Sequence, residues 1–476
     1  MKIKLLSLAA IVGISGLFIT KMNDTNENIK ITKYSPRVDE NVDESYSAKG
    51  AAEYLASVRG DYKTGIVDPI LLEKAQNHAY DKSSRASNLG LEFEFMGPSN
   101  MGGRTRGIVV DNENSDRIYG ASITGGVYIS TNGGNSWAKS WSARTNTVSC
   151  ITQTSNGYLY AGTGCSFESG GQKSSGNGAP RGTGVGIYVS KDRGVTWELI
   201  ESTSSATNKV FFRNVNFIEA HPTDANTIAA ATNGGLQIST DGGVTWSREV
   251  ACNGGVALSN CITVDWSNDG AILHAGFSGG QYYSGTSWKT SCGLTKQPNV
   301  GDGGRWMLSA SPNDPQKVYA TTSTGGDYSD VKVSTDGGAN WASFNPPMPV
   351  SAGNFDLYGS NTQANYDMLF KALPNPNDAS KDMLFIGGVQ LWRFDGNWTQ
   401  AAVGGGSGSE PGLYKVHVDH HAITYDKKNP KNIFFGNDGG IYKSLDGGYT
   451  FYDMNKGYSV TQYYAIAHAN YDYAVG

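Results

Sequence analysis

The stretch Ser239-Thr-Asp-Gly-Gly-Val-Thr-Trp246 decides the fold, because four other stretches of the chain repeat its pattern. The five copies share the template S-x-[D/N]-x-G-x-[S/T/N]-[W/F], and the other four are Ser130–Trp137, Ser190–Trp197, Ser334–Trp341 and Ser444–Phe451. A motif that recurs after tens of residues is typical of a repeat architecture. The sequence therefore predicts several copies of one structural unit.

The spacing of the copies predicts how many units there are. Their starts lie 60, 49, 95 and 110 residues apart, so the last two gaps are nearly twice the first two. A degenerate copy fills each long gap, at Gly280–Trp288 and at Leu391–Trp398. The chain thus holds seven units of about 50 residues each.

Each unit contains four short β runs separated by turn residues. In the first unit they are Thr105–Asp111, Arg117–Ser122, Gly126–Thr131 and Ser136–Trp141, and in the last unit they are His421–Asp426, Asn432–Asn437, Gly440–Ser444 and Thr450–Met454. Four antiparallel strands repeated seven times without intervening helices predict an all-β protein, a β-propeller of about seven four-stranded blades. Residues 463–476 resemble half of another unit, which predicts either a truncated eighth blade or strands that complete the ring.

The N-terminal residues divide into three further segments. A basic start and an apolar run from Leu5 to Ile19 predict a signal peptide over residues 1–20. Polar residues 21–47 predict a flexible leader, and apolar spacing within residues 48–94 predicts two short helices. The propeller would then occupy residues 95–476. No cysteine precedes Cys150, so no thiol is placed for lipid attachment, and we expect a secreted or cell-surface protein without stable membrane insertion.

Composition excludes several classes of function. The chain has 38 Lys and Arg against 43 Asp and Glu, a net charge of -5, so it lacks the positive field that holds nucleic acid. The five cysteines show no C-x-x-C spacing of a zinc site, and in an oxidising compartment we expect local pairs with one thiol left over. We expect no cofactor and a monomeric propeller.

The repeated template resembles the Asp-box, or BNR repeat, of sialidases, sortilin-type domains and xyloglucanase-like glycoside hydrolases. Met96–Arg104 and Asn437–Gly440 also resemble parts of large exported bacterial proteins that are cargo of the type IX secretion system. The resemblance covers about residues 95–476. It implies the propeller fold, whereas a fold of this kind supports many different functions.

The Asp-box side chains are predicted to be structural. An Asp in a tight turn accepts hydrogen bonds from the turn's own N–H groups, glycine supplies the positive φ, and the aromatic residue packs as an apolar plug. These residues are Asn132, Trp137, Asp192, Trp197, Asp241, Trp246, Asp336, Trp341, Asp446 and Phe451.

Candidate binding residues precede the first strand of several units, where a propeller opens its central channel. Arg104, Arg144, Arg213 and Arg305 stand there in units one, two, three and five, and could form a basic rim for carboxylates or sulfates. The alternative is that each arginine pairs with a nearby acid or stacks on an aromatic ring.

A second candidate lies in unit seven, in the run Tyr414-Lys-Val-His-Val-Asp-His-His421. On a continuous strand His417, Asp419 and His421 would share one face, as a weak candidate for a metal site or an acid/base pair. The alternative is an ordinary hydrogen-bonded inner strand.

Three long Gly-rich and Ser-rich stretches would emerge on the same face as the inner-strand starts, where binding loops are commonly found. They are Cys165–Thr183, Pro346–Asn365 with Phe355 and Tyr358, and Val403–Gly412.

Two functions from different classes remain. The first is an exported propeller that binds a glycan or an extracellular protein at its loop-rich face. The second is a glycoside hydrolase, which normally needs two carboxylates or, in sialidases, a tyrosine nucleophile. The resemblance to xyloglucanases implies an Asp before the Gly-Gly of the first blade, but this chain has Ile123 there. The arginine-containing F/Y-R-I-P element of sialidases is also absent before the first Asp-box, so we expect binding rather than hydrolysis.

Overall fold

A computed structural model describes residues 97–143, 147–167, 184–204, 211–248, 260–289, 293–300, 304–324, 326–349, 357, 363–403, 414–462, 467–470, 473–475 and His78. The predicted signal peptide and leader lie outside these residues, and so does the predicted helical segment apart from helical His78.

The described chain folds into seven antiparallel sheets in chain order, which confirms the predicted seven-bladed β-propeller. The innermost strand of each blade is short and consists of buried and partly buried residues. These strands are β1 (Thr105–Val110), β5 (Val148–Gln153), β9 (Val215–Ala220), β13 (Cys261–Trp266), β17 (Trp306–Ala310), β21 (Leu369–Pro374) and β26 (His420–Asp426).

The second and third strands of each blade also contribute buried apolar residues to the core. The second strands are β2 (Ile118–Ser122), β6 (Leu159–Thr163), β10 (Ile228–Thr232), β14 (Leu273–Phe277), β18 (Val318–Thr324), β22 (Asp382–Gly387) and β27 (Asn429–Asn437). The third strands are β3 (Gly126–Ser130), β7 (Ile187–Ser190), β11 (Gly235–Ser239), β15 (Tyr282–Gly285), β19 (Asp327–Ser334), β23 (Leu391–Phe394) and β28 (Gly440–Ser444).

The fourth, outer strands are β4 (Ala138–Lys139), β8 (Glu198–Leu199), β12 (Ser247–Arg248), β16 (Thr295–Gln297), β20 (Ala342–Ser343), β24 (Trp398–Val403) and β29 (Tyr452–Asp453). The sixth blade carries a fifth strand, β25 (Tyr414–Lys415), which pairs parallel with β24. Short 3₁₀ turns occur at Glu201–Thr203, Ser278–Gly280 and Gln363–Asn365.

The ring closes between the seventh blade and the first, because β26 lies against β1 as the other inner strands lie against their neighbours. The last described strands, β30 (Ala467–Asn470) and β31 (Tyr473–Val475), pair only with each other as a separate hairpin. They are therefore not part of the seven-bladed ring that the described residues form.

Apolar clusters fill the seams between blades. One joins Tyr119 and Val127 of the first blade to Ile151, Leu159 and Trp197 of the second. Burial of this kind stabilises each sheet against its neighbour, at about 25 cal/mol per Å² of apolar surface. The seams thus make one continuous core of the separate sheets.

Each of the five clear Asp-boxes lies in the turn between the third and fourth strands of its blade. In the third blade Ser239 Oγ donates to Asp241 Oδ1 (2.8 Å) and accepts from the Gly243 N–H (2.8 Å). The Asp241 carboxylate then accepts from the Thr245 N–H at 2.9 Å and from its hydroxyl at 2.6 Å. Gly243 has φ +91°, a left-handed conformation that favours glycine.

Three described cysteines, Cys150, Cys165 and Cys261, are buried, and Cys150 and Cys261 are thiols. Cys252 and Cys292 lie outside the described residues. Within the described part of the chain, no helix is long and apolar enough to cross a membrane.

Candidate functional site at the channel mouth

The strand order fixes which side chains meet at one end of the channel. Every inner strand begins at the same face, and the turn between the second and third strands of a blade returns to that face. The Asp-box turns lie at the opposite face. Residues just before an inner strand, such as Arg104, therefore meet residues of a second-to-third turn, such as Asp438 between β27 and β28.

Asp438 is the centre of this arrangement. Arg104 of the first blade donates to both of its carboxylate oxygens, from Nε to Oδ1 at 3.0 Å and from Nη2 to Oδ2 at 3.2 Å. His421 Nε2 donates to Asp438 Oδ1 at 2.7 Å, and the Tyr366 hydroxyl donates to Asp438 Oδ2. One carboxylate thus joins the first, sixth and seventh blades.

The protonation states follow from these contacts. Burial opposes ionisation of Asp438, but the hydrogen bond from His421 and the charge of Arg104 hold the pKa of its carboxyl well below the ordinary value. Burial, together with the charge of Arg106, lowers the pKa of His421 to about 4. At neutral pH His421 is therefore an uncharged donor and Asp438 is an anion.

Tyr366 is enclosed by cations. The guanidinium of Arg104 lies 4.8 Å from the centre of its ring and that of Arg106 lies 5.5 Å from it. The Tyr366 carbonyl accepts from Arg305 Nη1 at 2.9 Å and from Arg106 Nη2 at 3.4 Å. Arg305 also lies over the ring of Phe167, 4.2 Å from its centre, so the second and fifth blades are linked to the same centre.

Two more carboxyl groups complete the site. Asp367 directly follows Tyr366, shortly before β21, and is fully buried. Neither of its carboxyl oxygens has a hydrogen-bond donor among the described residues. Asp419 lies in a bend before β26 with φ +64°, a conformation uncommon for any residue but glycine. We call Arg104, Tyr366, Asp367, Asp419, His421 and Asp438 the mouth cluster.

The predicted site residues are distributed as follows. Arg104, Arg305, Asp419 and His421 all lie in or beside the mouth cluster. Arg213 is exposed beside the third blade, and within the described residues no contact joins it to the cluster. Arg144 lies outside the described residues, as do Phe355, Tyr358 and most of the three long loops.

The run from Tyr414 to His421 is not one strand, which corrects the prediction that His417, Asp419 and His421 share a face. β25 ends at Lys415, and β26 begins only at His420, because the left-handed Asp419 interrupts the extended chain. His417 is exposed and its Nδ1 contacts the Val418 carbonyl at 3.0 Å. Among the described residues no group of three or more His, Cys, Asp and Glu side chains is placed to hold a metal ion, so these three residues do not form a metal site.

Arg104 and Arg305 also do not form the open basic rim that the sequence predicted. Arg104 and Arg305 each bind acceptors of a neighbouring blade, as the alternative of pairing and stacking required. The residues that the sequence analysis missed are Tyr366, Asp367 and Asp438. Asp367 had the same signal as Arg305, a charged residue just before an inner strand, and Asp438 lies in the quoted Asn437–Gly440 stretch.

A cavity of about 450 Å³ continues the channel behind the mouth, between the inner strands. Lys371 crosses it and contacts Asp265 Oδ2 at 3.1 Å and Glu219 Oε1 at 4.0 Å. Burial raises the pKa of Glu219 to about 7.

Comparisons with known proteins agree with this fold. The pattern of the BNR/Asp-box repeat matches residues 237–248, and no curated protein matches the sequence. An ancestral GH74 enzyme is similar in structure with a TM-score of 0.53 at 17% identity, over 81% of this chain and 50% of that enzyme. The chain therefore spans about half the length of that enzyme.

Two further solved structures are similar over much of the chain. YCF48 from Cyanidioschyzon merolae has a TM-score of 0.48 at 14% identity, over 73% of this chain and 96% of its own. The GH74 xyloglucanase from Xanthomonas campestris has a TM-score of 0.37 at 14% identity, over 76% of this chain and 68% of its own. At these identities the likeness concerns the fold alone, and the chain is an Asp-box β-propeller.

Proposed function

We propose that the protein is a binding module that holds a glycan at the mouth of its channel. The observation that carries this proposal is the buried carboxyl of Asp367, whose two oxygens have no donor among the described residues. Buried polar groups are nearly always paired, so an unpaired one at a channel mouth indicates a ligand contact. Sugar hydroxyls are donors of the required kind, and partly exposed Asp419 beside Asp367 is the group that a sugar would meet first.

The blade contacts support a rigid site. Arg104, Arg106 and Arg305 fasten the first, fifth, sixth and seventh blades around Tyr366 before any ligand arrives. A preorganised site spends little binding energy on ordering itself.

Retention of the purified protein on a panel of immobilised glycans tests the proposal. Asp419→Ala should weaken binding to the retained glycan about tenfold, since a hydrogen bond to a charged group contributes about 1.5–3 kcal/mol. Asp378→Ala, in an exposed turn at the opposite face, should bind as the wild type does. The proposal fails if no glycan is retained or if both variants bind equally well.

A second candidate is a glycoside hydrolase, and the charge states of the mouth favour it. Asp438 is held ionised, while burial, followed by the charge of Asp419, raises the pKa of Asp367 to about 9. A carboxylate beside a protonated carboxyl is the combination that such enzymes use as base and acid. The turn with Ile123 lies at the same face, and in the seventh blade the equivalent turn supplies Asp438.

Release of reducing ends from polysaccharides distinguishes the two candidates. If the mouth is catalytic, Asp438→Asn and Asp367→Asn should each lower the rate by about 10²-fold or more, the usual contribution of a general acid or base. Binding without release of reducing ends would leave the binding module as the function.

We further infer from the apolar run Leu5–Ile19 that the protein is exported, so that its ligand is extracellular. The N-terminal residue of the protein recovered from its native source tests this inference. A mature chain that still begins at Met1 would contradict it.

A further inference from the structure

The cavity inside the ring opens at the face opposite the mouth cluster. At the mouth end it is lined by Arg106 and His421, which are both buried. At the other end it is lined by Asn268 and Lys427, which follow the inner strands β13 and β26 and are exposed. Because the inner strands end at the face of the Asp-box turns, a molecule in solvent reaches the cavity from that face. Its volume of about 450 Å³ lies in the usual range of small-molecule sites.

A fixed ion pair stands inside this cavity. Lys371 Nζ donates to Asp265 Oδ2 at 3.1 Å and lies 4.0 Å from Glu219 Oε1. The Asp265 carboxylate is itself held by the backbone, because its Oδ1 accepts from the Trp266 N–H and its Oδ2 from the Ala310 N–H, both at 3.0 Å. Asp265 therefore fixes the position of the Lys371 ammonium group.

Lys371 and Glu219 keep hydrogen-bonding capacity that a ligand can use. An ammonium group has three donors, and Asp265 is the one hydrogen-bond acceptor of Lys371 among the described residues. Within the same residues Lys371 is the one ion-pair partner of Glu219, and 4.0 Å is too long for a hydrogen bond. The two side chains are 27% and 26% exposed, so a molecule in the cavity can touch both.

The charges of the cavity favour an anionic ligand. Three cations, Arg106, Lys371 and Lys427, line it together with two carboxyl groups, Asp265 and Glu219. Burial raises the pKa of Glu219 to about 7, so this carboxyl is only partly ionised at neutral pH. The cavity therefore carries a net positive charge. Lys427 stands exposed at the opening, where an entering ligand meets it first.

We propose that this end of the channel is a second binding site, and that it takes a small sugar acid. Glu219 accepts from one hydroxyl group of the sugar, Lys371 donates to the neighbouring hydroxyl, and Lys427 pairs with the carboxylate of the ligand. These three residues lie outside the mouth cluster, so the site does not depend on the glycan binding proposed above.

The pairing of functions favours a sugar acid over simpler anions. A hydroxyl group both donates and accepts, so two neighbouring hydroxyls can satisfy a carboxylate and an ammonium group that lie side by side. An anion without hydroxyl groups would leave Glu219 without a donor and would add a further negative charge beside it. A sugar without a carboxylate would fit the inner pair but would leave Lys427 without its partner.

Isothermal titration of the folded protein at pH 8, where Glu219 is mostly ionised, tests the site with glucuronate, glucose and acetate. Glucuronate should bind most tightly. Glucose should bind about two- to fivefold more weakly, since a solvent-exposed ion pair contributes up to about 1 kcal/mol. Acetate should bind more weakly than either sugar.

Two variants locate the binding. Glu219→Met removes the acceptor, leaves the pair of Lys371 and Asp265 intact, and should weaken the binding of both sugars at least about tenfold. Lys427→Met should lower the affinity for glucuronate to that for glucose and leave glucose binding unchanged. Asp378→Asn is the matched control, because it lies exposed at the same face and does not line the cavity. Circular dichroism checks that each variant is folded.

Three outcomes would overturn the proposal. If glucuronate does not bind, the cavity is not a sugar-acid site. If Glu219→Met binds glucuronate as the wild type does, the ligand lies elsewhere on the protein. If acetate binds as tightly as glucuronate, the cavity attracts charge alone. Should Glu219→Met fail to fold, Lys427→Met still decides the matter, because an unchanged affinity for glucuronate in that exposed variant would also overturn the site.

Discussion

The four Asp-box tryptophans occupy two kinds of environment. Trp137 and Trp197 are 6% and 7% exposed, and the Trp137 indole N–H donates to the Met454 carbonyl at 2.6 Å. Trp246 and Trp341 are only half-buried, and each donates to a glycine carbonyl of its own turn, at 3.0 and 3.1 Å. The prediction of a buried plug therefore describes the first pair of tryptophans better than the second.

Replacing a buried box tryptophan should be costly. Trp137→Ala should lower the free energy of unfolding by about 3–5 kcal/mol, because it removes a large buried ring. Trp246→Ala should cost less, since its side chain is already partly exposed to solvent. Urea denaturation of both variants measures the difference, and equal losses would contradict it.

The arginine at the mouth should contribute to stability because it joins two blades. Arg104→Met removes both hydrogen bonds to Asp438, and hydrogen bonds to charged groups contribute about 1.5–3 kcal/mol. Arg213→Met is the matched control, because Arg213 is exposed. Urea denaturation measures the free energy of unfolding of both variants. If Arg213→Met loses as much as Arg104→Met, the ion pair between Arg104 and Asp438 does not stabilise the fold.

At the scale of elements, the segments before β1 and after β29 close the ring. The Gly457 N–H donates to the Ser99 carbonyl at 2.5 Å, and the Thr461 hydroxyl donates to the Met101 carbonyl at 3.0 Å. Gly103 lies so close to this seam that an added Cβ would stand 2.3 Å from the Val460 carbonyl oxygen. Only glycine permits that approach.

Gly103→Ala should therefore strain the closure of the ring. The backbone of Val460 has to move, so we expect a loss of about 1–3 kcal/mol, the usual cost of overpacking. Met101→Ala tests the same segment at an exposed side chain and should be neutral. An unfolding midpoint of Gly103→Ala that equals that of Met101→Ala would show that the seam can open without cost.

The elements differ in how well the sequence predicted them. The degenerate copies at Gly280–Trp288 and Leu391–Trp398 correctly located the fourth and sixth blades, because turn and aromatic residues act locally. The break at Asp419 was missed, since alternating residue types do not reveal a left-handed φ. The meeting of Asp367, Asp438 and Arg104 was missed as well, because it depends on closure of the ring between residues hundreds of positions apart.

At the scale of the molecule, two kinds of buried group have opposite effects on how stability depends on pH. Burial lowers the pKa of the four buried histidines among the described residues. For His274, His420 and His421 the pKa falls from an ordinary 6.5 to between about 3 and 4, and that of His221 is lowered as well. The unfolded chain therefore binds more protons at about pH 4–6.5, and stability rises with pH there. Burial instead raises the pKa of Glu219, Asp367 and Asp419, so the folded chain binds more protons and stability falls with rising pH.

The two effects should nearly cancel up to about pH 6.5, the unfolded pKa of histidine. Above that pH the histidines are uncharged in both the folded and the unfolded state, so they no longer affect how stability changes with pH. The free energy of unfolding should then fall steadily until about pH 9, the pKa of Asp367. Asp367→Asn should flatten this decline, and Glu219→Gln should remove only the part below about pH 7. Denaturation at a series of pH values checks both, and a wild type that gains stability from pH 7 to 9 would contradict the assignment.

Most blades end in very short outer strands, and this limits how one molecule can associate with another. Five of the seven described outer strands, β4, β8, β12, β20 and β29, are only two residues long. An exposed strand edge is a template for addition of a strand from another chain, and such addition is how many β proteins begin to aggregate. Two residues offer too few unpaired backbone groups to hold an incoming strand. Crowded copies of the folded propeller should therefore remain separate, even though nearly all of their regular structure is sheet.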